Sequence, residues 1–184
     1  MTRESWLSKA SDIMVAYIQQ HTDIPIPKFY LSVGFPRGKS TTVGQCWSGR
    51  LSEDGLPHIF ISPVKDDPID ILSILGHEII HTVYPNAGHR IEFSRLAAKC
   101  GYVKPWVGHL VNDEYAKYLQ TVADQLGEYE HSKLTLPVRG SKGSRLRKYI
   151  CNVCNVIVYK GGSPLLAECL EDFNGDKCGG NFIH

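Results

Sequence analysis

The stretch GHEIIHTVYPNAGHRIEF, residues 76–93, contains three histidines and two glutamates. His77 and His81 are four positions apart on a predicted helix, so their side chains project from one face and can converge on one ion. Glu78 lies between them, where a carboxylate can reach a water molecule at that ion. This HExxH arrangement is typical of sites in which two imidazoles hold zinc and the glutamate acts as general base.

A catalytic zinc needs a third protein ligand, which leaves one position for water. His89 follows a break at Pro85 and Gly88 that lets the chain turn back toward the HExxH helix. Glu92 is the alternative, as in sites with two histidines and one glutamate. We favour His89, because Gly88 and His89 begin the next predicted helix and the His89 side chain can point back across the turn. The spacing does not select an oxyanion-stabilising residue among Tyr84, His109 and His131.

The residues around this stretch predict an α+β domain over residues 1–136. Apolar residues recur at helical spacing from Trp6 to Ile18. Asp67 is a good N-cap and Pro68 a good first helical residue, so the HExxH helix is expected to run from there to about Tyr84. Two further helices are predicted, one from near Gly88 to before Gly101 and one that ends at Gly127. Short extended runs predict a small antiparallel sheet, at residues 29–33, 42–47 and 58–61.

A second cysteine-rich motif, CNVC at residues 151–154, predicts a structural zinc site. A CxxC turn lets the Cys151 and Cys154 thiolates bind one zinc, and the VIVY that follows suits a ribbon strand. Cys169 and Cys178 are the expected partners, with His184 as the alternative to Cys169. A redox CxxC is less favoured because no thioredoxin-like βαβ pattern surrounds it. The other two cysteines, Cys46 and Cys100, lie in apolar patterns and are predicted to be buried core residues.

The composition predicts a globular intracellular protein. Of the 184 residues, 42% are hydrophobic and 21% are charged, which excludes a disordered chain. No apolar run approaches the roughly 20 residues that span a bilayer, and the N-terminus is a poor signal peptide. We therefore expect a cytoplasmic or nucleoid-associated protein that is not secreted and has no membrane partner.

The net charge of +1 conceals an uneven distribution. No acidic residue lies between Glu130 and Glu168, a stretch that holds seven of the 20 basic residues. The rest of the chain has 13 basic and 19 acidic residues, a net charge of −6. This asymmetry predicts a contact with a polyanion such as DNA, although a solvated linker would have the same composition. The residues expected to contact nucleic acid are Lys142, Arg145, Arg147 and Lys148.

At these residues the sequence resembles the SprT-like zinc metalloprotease family, whose pattern is HExxH, a variable loop and GHxxxF. HEIIH and GHRIEF are similar to the two parts of that pattern. The preceding GQCW, the extended PHIFISP and the Asp-Pro helix start resemble the family's segment before HExxH. A cysteine-bearing ribbon after a basic linker is similar too. The resemblance covers most of residues 28–184.

The resemblance implies a zincin-like metalloprotease domain (1–136), a basic linker (137–148) and a zinc-ribbon-like module (149–184). In that family the residues matching His77, His81 and His89 bind the catalytic Zn²⁺, and the residue matching Glu78 is the catalytic base. A second Zn²⁺ would be structural. The family includes Spartan proteases, which degrade proteins covalently trapped on DNA, and many small bacterial and phage members.

The expected function is therefore that of a zinc endopeptidase that acts on proteins bound or crosslinked to DNA, as in DNA–protein crosslink repair. One alternative is a nucleic-acid-binding accessory protein with a vestigial or regulatory protease fold. Another is a general intracellular peptidase whose ribbon is only a structural cap. Cleavage of casein, tested with and without single-stranded DNA, separates the three.

Overall fold

The HExxH stretch lies on the central helix of the N-terminal half of the chain. This helix, α2 (Pro68–Val83), begins at Asp67, whose carboxylate accepts a 2.8 Å hydrogen bond from the Asp70 N–H. It ends one residue before the position predicted, with Tyr84 as the C-cap residue before Pro85. Twelve of its sixteen residues are buried, and a helix that is buried on nearly all sides lies in the core and not at the surface.

The computed structural model describes residues 1–37, 41–130, 132–136, 146–161, 165–173 and 175–183. The chain divides into two units, Met1–Leu136 and Pro137–His184, and each is described by itself. Within the described ranges, no helix is both long enough and apolar enough to cross a membrane. The predicted α+β class is confirmed, with four helices and small sheets in the part of the chain that the structure describes.

Two amphipathic helices pack against α2 in the first unit. Helix α1 (Arg3–Gln19) buries residues at three- and four-residue steps from Trp6 to Ile18, as predicted. Helix α4 (Asp113–Leu126) ends at Gly127, which has a φ of +78°. Gly76 of α2 permits the close packing, because a Cβ there would lie 2.8 Å from the Met14 Cε of α1 and 3.1 Å from the Tyr115 hydroxyl oxygen of α4.

The sheet of the first unit is mixed, which corrects the predicted antiparallel arrangement. It contains β1 (Tyr30–Val33), β2 (Gly44–Trp47) and β3 (His58–Ile61), in the order β1-β3-β2. Strand β3 pairs antiparallel with β2 and parallel with β1. The strands themselves match the extended runs in the sequence, but those runs do not show that β3 inserts between the other two. Ile59 and Ile61 are buried, while β3's alternate residues face away from the core.

The chain after α2 turns at Gly88, where φ is +52°, and then enters helix α3 (Ile91–Lys99). Helix α3 therefore begins three residues later than predicted, and His89 lies in the turn and not in the helix. Backbone hydrogen bonds of 3.1 Å from Ala87 to Tyr84 and from Arg90 to Ala87 hold this turn. Because the turn is held on both sides of Gly88, His89 can reach back toward α2 without belonging to a helix.

The second unit consists of short strands around the four clustered cysteines. Strands β4 (Leu146–Cys151), β5 (Ile157–Gly161) and β8 (Phe182–Ile183) form an antiparallel sheet in the order β5-β4-β8. Strands β6 (Asp172–Phe173) and β7 (Asp176–Lys177) form a small hairpin. Strand β4 begins at Leu146, so the last three residues of the predicted linker belong to this sheet, and residues 137–145 lie outside the described ranges.

Candidate metal centres

The side chains of His77, His81 and His89 converge on one point. The Nε2 atoms lie 3.1 Å apart for His77 and His89, 3.2 Å for His77 and His81, and 3.2 Å for His81 and His89. Zinc–nitrogen bonds of about 2.0–2.1 Å would place the ligand atoms of a tetrahedron about 3.3–3.4 Å apart. The triangle of nitrogens therefore matches three corners of a tetrahedral site and leaves the fourth corner for another ligand.

The chemistry of these imidazoles favours a cation between them. His77 forms a hydrogen bond with the backbone of Gly108 that favours the protonated ring. The bond therefore runs from the His77 Nδ1–H to the Gly108 carbonyl, which leaves the Nε2 lone pair free to bind a metal. Burial lowers the pKa of His77 to about 3 and that of His81 to about 4, and also lowers the pKa of His89. All three rings are thus held in the neutral form that binds metals.

Phe93 of α3 supports all three ligand rings from one side. It is fully buried, and its ring stacks on His81 with the centroids 4.3 Å apart. Its centroid lies 4.9 Å from that of His77 and 5.0 Å from that of His89, both edge-on. Phe93 follows His89 by four positions, so the first turn of α3 joins the third ligand to its packing partner. This packing restricts the rotamers of the ligand rings.

Glu78 is buried beside the histidines and lies against strand β2. A Cβ on Gly44 would lie 2.6 Å from its Oε1 atom, so only glycine leaves room for the carboxylate at that point. The carboxylate accepts a hydrogen bond from the Cys46 N–H, while burial raises the pKa of Glu78 to about 8. A nearby dication would oppose the effect of burial by favouring the carboxylate form. Glu78 is therefore held in place without being one of the converging ligands.

The other candidate for third ligand, Glu92, does not join the site. It is exposed on α3 and lines a different cleft, together with Arg95 and Lys99. Among the described residues, only the three histidines form the ligand group around α2. The geometry thus favours His89 over Glu92.

We expect His89→Ala to lower metal affinity at the histidine site by at least about 100-fold, because loss of even a hydrogen-bonding partner of a ligand costs about 10–100-fold. Titration with a competing chelator measures this affinity in the purified full chain. Glu92→Ala is the matched control and leaves the affinity unchanged. The reverse pattern, with a loss only in Glu92→Ala, would assign the third ligand to Glu92.

The three candidates for an oxyanion-stabilising residue differ in where they lie relative to the histidine site. His109 is half-buried and directly follows Gly108, the partner of His77. Tyr84 lines the cleft of Glu92 and Arg95, and His131 lies outside the described residues. Of the two candidates that the structure describes, His109 is the one next to a residue that contacts the histidine site.

Cys151, Cys154, Cys169 and Cys178 form the second ligand group, with their Sγ atoms all within 4.8 Å of one another. The Sγ–Sγ distance is 3.5 Å for Cys151 and Cys178 and 3.6 Å for Cys154 and Cys169. These distances are too long for disulfides, whose sulfurs lie about 2.05 Å apart. They are close to the roughly 3.8 Å expected between thiolates at about 2.3 Å from one zinc. The group can therefore hold a tetrahedral metal ion.

Backbone geometry brings the four thiols together. Asn155 has a φ of +61°, and its N–H donates to the Cys151 carbonyl at 3.1 Å, which closes the CxxC turn. Gly180 packs so closely that a Cβ there would lie 2.5 Å from the Cys151 Sγ. The Cys169 N–H donates to the Gly180 carbonyl at 2.7 Å, which brings the segment that contains Cys169 close to this turn. The structure thus places Cys169 in the group, while His184 lies outside the described residues.

The backbone also favours the thiolate form at the first cysteine of the motif. Hydrogen bonds from the backbone N–H groups of Cys154 and Val153 lower the pKa of Cys151 to about 6, against the opposing effect of burial. The thiolate is the form that binds a metal. In contrast, burial raises the pKa of both Cys46 and Cys100 to about 12. Cys100 is fully buried as predicted, Cys46 is partly buried, and neither belongs to a ligand group.

The basic residues predicted to contact nucleic acid are only partly described. Lys142 and Arg145 lie outside the described residues. Arg147 and Lys148 are exposed on β4, where neighbouring side chains point to opposite faces of the sheet. Lys148 lies opposite Tyr159 of β5, whereas Arg147 lies opposite Lys160. The charges that adjoin in the sequence are therefore divided between two faces.

No protein-family model, curated protein or solved structure matches this chain. The two ligand groups, one of histidines and one of cysteines, are both consistent with zinc.

Proposed function

We propose that the first unit is a zinc-dependent endopeptidase of SprT-like type with a zincin-like fold. One observation carries the proposal. Three histidine Nε2 atoms form a triangle with sides of 3.1–3.2 Å, and a buried glutamate directly follows the first of these histidines on the same helix. A purely structural metal site would have no need of a fixed carboxylate that is not a ligand, and it would be closed by a fourth protein ligand.

His77, His81 and His89 would hold the zinc, which would supply a Lewis acid that activates water near neutral pH. Glu78 takes the proton from the attacking water and returns it to the leaving amine. Its position between Gly44 and the Cys46 N–H limits its movement, so little reorganisation is needed at the moment of transfer. The Gly108 carbonyl keeps His77 in the tautomer that binds the metal through Nε2.

Strand β2 offers a backbone edge to the substrate beside Glu78. The Ser62 N–H donates to the Val43 carbonyl at 2.9 Å, so by alternation Gly44 and Cys46 direct their backbone groups away from β3. The Cys46 N–H on this edge is the one that reaches Glu78. No other strand pairs with this edge within the described ranges. An extended peptide that adds to the sheet here would pass beside the general base.

Removal and return of zinc tests the proposed activity. We expect the full chain to cleave denatured casein, to lose this activity completely after chelation, and to recover it when zinc is added back. Magnesium added at the same concentration is the control and restores nothing, because it prefers oxygen ligands. A zinc-loaded chain that cleaves neither casein nor itself, with or without single-stranded DNA, would contradict the proposal. That outcome favours the alternative of a nucleic-acid-binding accessory protein.

For the second unit, we propose a zinc ribbon that contacts DNA and brings DNA-bound or crosslinked proteins to the protease. On one face of its sheet, exposed Lys148 lies opposite Tyr159, whose side chain is 64% exposed. A cation beside an exposed aromatic ring suits single-stranded nucleic acid, where phosphates and stacked bases alternate. Arg147 on the other face adds positive charge.

The contribution of these charges is measurable through the salt dependence of DNA binding. We expect replacement of Arg145, Arg147 and Lys148 by alanine to weaken binding to single- and double-stranded DNA with little change in sequence preference. The slope of log K against log salt should fall by roughly 2–2.7, since each lost phosphate contact removes about 0.7–0.9. Fluorescence anisotropy at several salt concentrations measures both quantities.

The matched control for this triple variant removes three exposed lysines from the helices of the first unit, Lys9, Lys99 and Lys117. It has the same change in net charge, and we expect its DNA affinity to stay close to that of the parent. If both triple variants kept the DNA affinity and the salt slope of the parent, the basic stretch would be only solvated. Peptide cleavage without DNA survives in both.

A further inference from the structure

We infer that the loop Val103–Leu110 forms an apolar subsite that selects substrates with an apolar side chain near the scissile bond. This inference rests on the proposed function of the first unit. It also names the substrate class, which is protein segments that are locally unfolded. Three features support it: the attachment of the loop, the side chains that the loop exposes and the backbone edge of β2.

The loop is a closed structure attached to a ligand of the histidine site. Tyr102 and Val111 form an isolated β-bridge at its base, and the Val103 N–H donates to the Leu110 carbonyl at 2.9 Å. At its tip the Gly108 N–H donates to the Pro105 carbonyl at 2.9 Å, which closes a tight turn. The backbone of Gly108 lies against the His77 ring, and the ring of Tyr102 at the base of the loop lies edge-on to His77 with the centroids 6.0 Å apart. The tip of the loop therefore has a fixed position at the rim of the histidine site.

Val107 is the residue of this turn best placed to meet a substrate. It directly precedes Gly108, whose backbone lies against the His77 ring. Adjacent Cα atoms lie about 3.8 Å apart, the Cα–C and C=O bonds add at most about 2.8 Å and a polar contact spans about 2.9 Å, so the Val107 Cα lies within about 10 Å of the His77 ring. An extended peptide advances about 3.3–3.6 Å per residue. A side chain that contacts Val107 would therefore belong to a residue within about three positions of the bond that is cleaved.

The loop exposes apolar side chains at this position. Val107 is 71% exposed, Leu110 is 56% exposed and Val103 is 37% exposed, whereas Trp106 is half-buried and packs against the core. Single exposed apolar residues are common on protein surfaces and need no explanation. Here three of them lie on one eight-residue loop that is hydrogen-bonded to a ligand of the site.

The chemistry of this rim determines what it can recognise. Lys104 and His109 are the loop's only ionisable side chains. Strand β2 offers backbone groups of Gly44 and Cys46, which can bind a peptide backbone whatever its side chains are. Apolar side chains are buried in folded proteins, and a peptide that pairs with a sheet edge must be extended. A substrate that satisfies both requirements is an unfolded or locally opened segment, and not a folded surface.

Cleavage-site mapping tests the subsite. Denatured casein is digested with the zinc-loaded parent and with Val107→Asp, and the cleaved bonds are identified by mass spectrometry. We expect the parent to prefer apolar residues at one position within three of the bond. In Val107→Asp, kcat/KM for such sites should fall about 10-fold or more, as for other changes in an apolar pocket, with relative gains at lysine and arginine. Leu51→Asp, which alters another exposed apolar residue (73% exposed), is the matched control and keeps the parental preference.

A binding measurement separates recognition from chemistry. In the Glu78→Gln background, a fluorescent peptide with an apolar residue at the preferred position should bind about 10-fold more weakly when Val107→Asp is added. Val107→Thr, which keeps the shape of the side chain, should give an intermediate loss. A parent that cleaves no casein overturns the proposed function and the subsite with it. A parent that cleaves, together with unchanged preference and peptide affinity in Val107→Asp and Val107→Thr, overturns the subsite alone.

Discussion

Glu78→Gln is expected to lower kcat/KM for casein by about 10²–10⁴-fold while both metals remain bound, because general acid–base catalysis contributes about that factor. The amide of glutamine has nearly the shape of the carboxylate, so it can occupy the space beside Gly44. It cannot accept a proton from water, and the proton transfer to the leaving amine is lost as well. Cleavage rates and zinc content are measured on the same preparation.

Glu92→Gln is the matched control, since it makes the same chemical change at an exposed position of α3 outside the histidine group. We expect it to retain both activity and zinc. Loss of zinc in Glu78→Gln would show that Glu78 is a ligand and not a base. Full activity in Glu78→Gln would remove Glu78 from the reaction altogether.

Cys151→Ser is expected to unfold the second unit and to lower the zinc content by one ion per chain. Among the described residues of this unit, Tyr149 is the only buried apolar side chain other than cysteine. Such a small core cannot stabilise a fold by itself. In zinc-finger peptides the bound metal contributes an apparent free energy of about 10–16 kcal/mol, and losing one thiolate removes much of it.

Limited proteolysis and zinc analysis test this expectation. Residues 146–183 of the variant should become sensitive to trypsin while the first unit stays resistant. Cys100→Ser, which changes a buried cysteine of the first unit outside the ligand group, is the control and leaves the metal count unchanged. A Cys151→Ser chain with two metals and a resistant second unit would rule out the cysteine site.

Several parts of the fold follow from local signals in the sequence. Asp67 and Pro68 mark the start of α2 because one caps the first turn and the other needs no hydrogen bond there. The spacing of His77 and His81 places them on one face because the helix repeats every 3.6 residues. Gly127 ends α4 with a positive φ that glycine adopts readily.

Other parts depend on approaches between distant segments, which leave no periodic signal. Nothing in the runs of β1, β2 and β3 shows that β3 lies between the other two. The Gly108 carbonyl binds His77 across 31 positions through a backbone group that every residue has. Gly44 leaves room for the Glu78 carboxylate because it has no Cβ. This role can be recognised only from the structure, where the carboxylate lies against Gly44.

The distribution of positive charge shows a similar limit. Arg147 and Lys148 adjoin in the sequence and suggest one patch. Because they lie on a strand, one faces the side of Tyr159 and the other the side of Lys160. The density of charge is visible in the sequence, whereas its division between two faces depends on the register of β4 and β5.

We propose that His77, His81 and His89 hold a catalytic zinc independently of the cysteine site. Native mass spectrometry of the full chain tests it most directly by counting zinc ions per chain. We expect two in the parent, one in Cys151→Ser and none when His77→Ala is added to Cys151→Ser. A Cys151→Ser chain without zinc, or a double variant that still holds one, would contradict the claim.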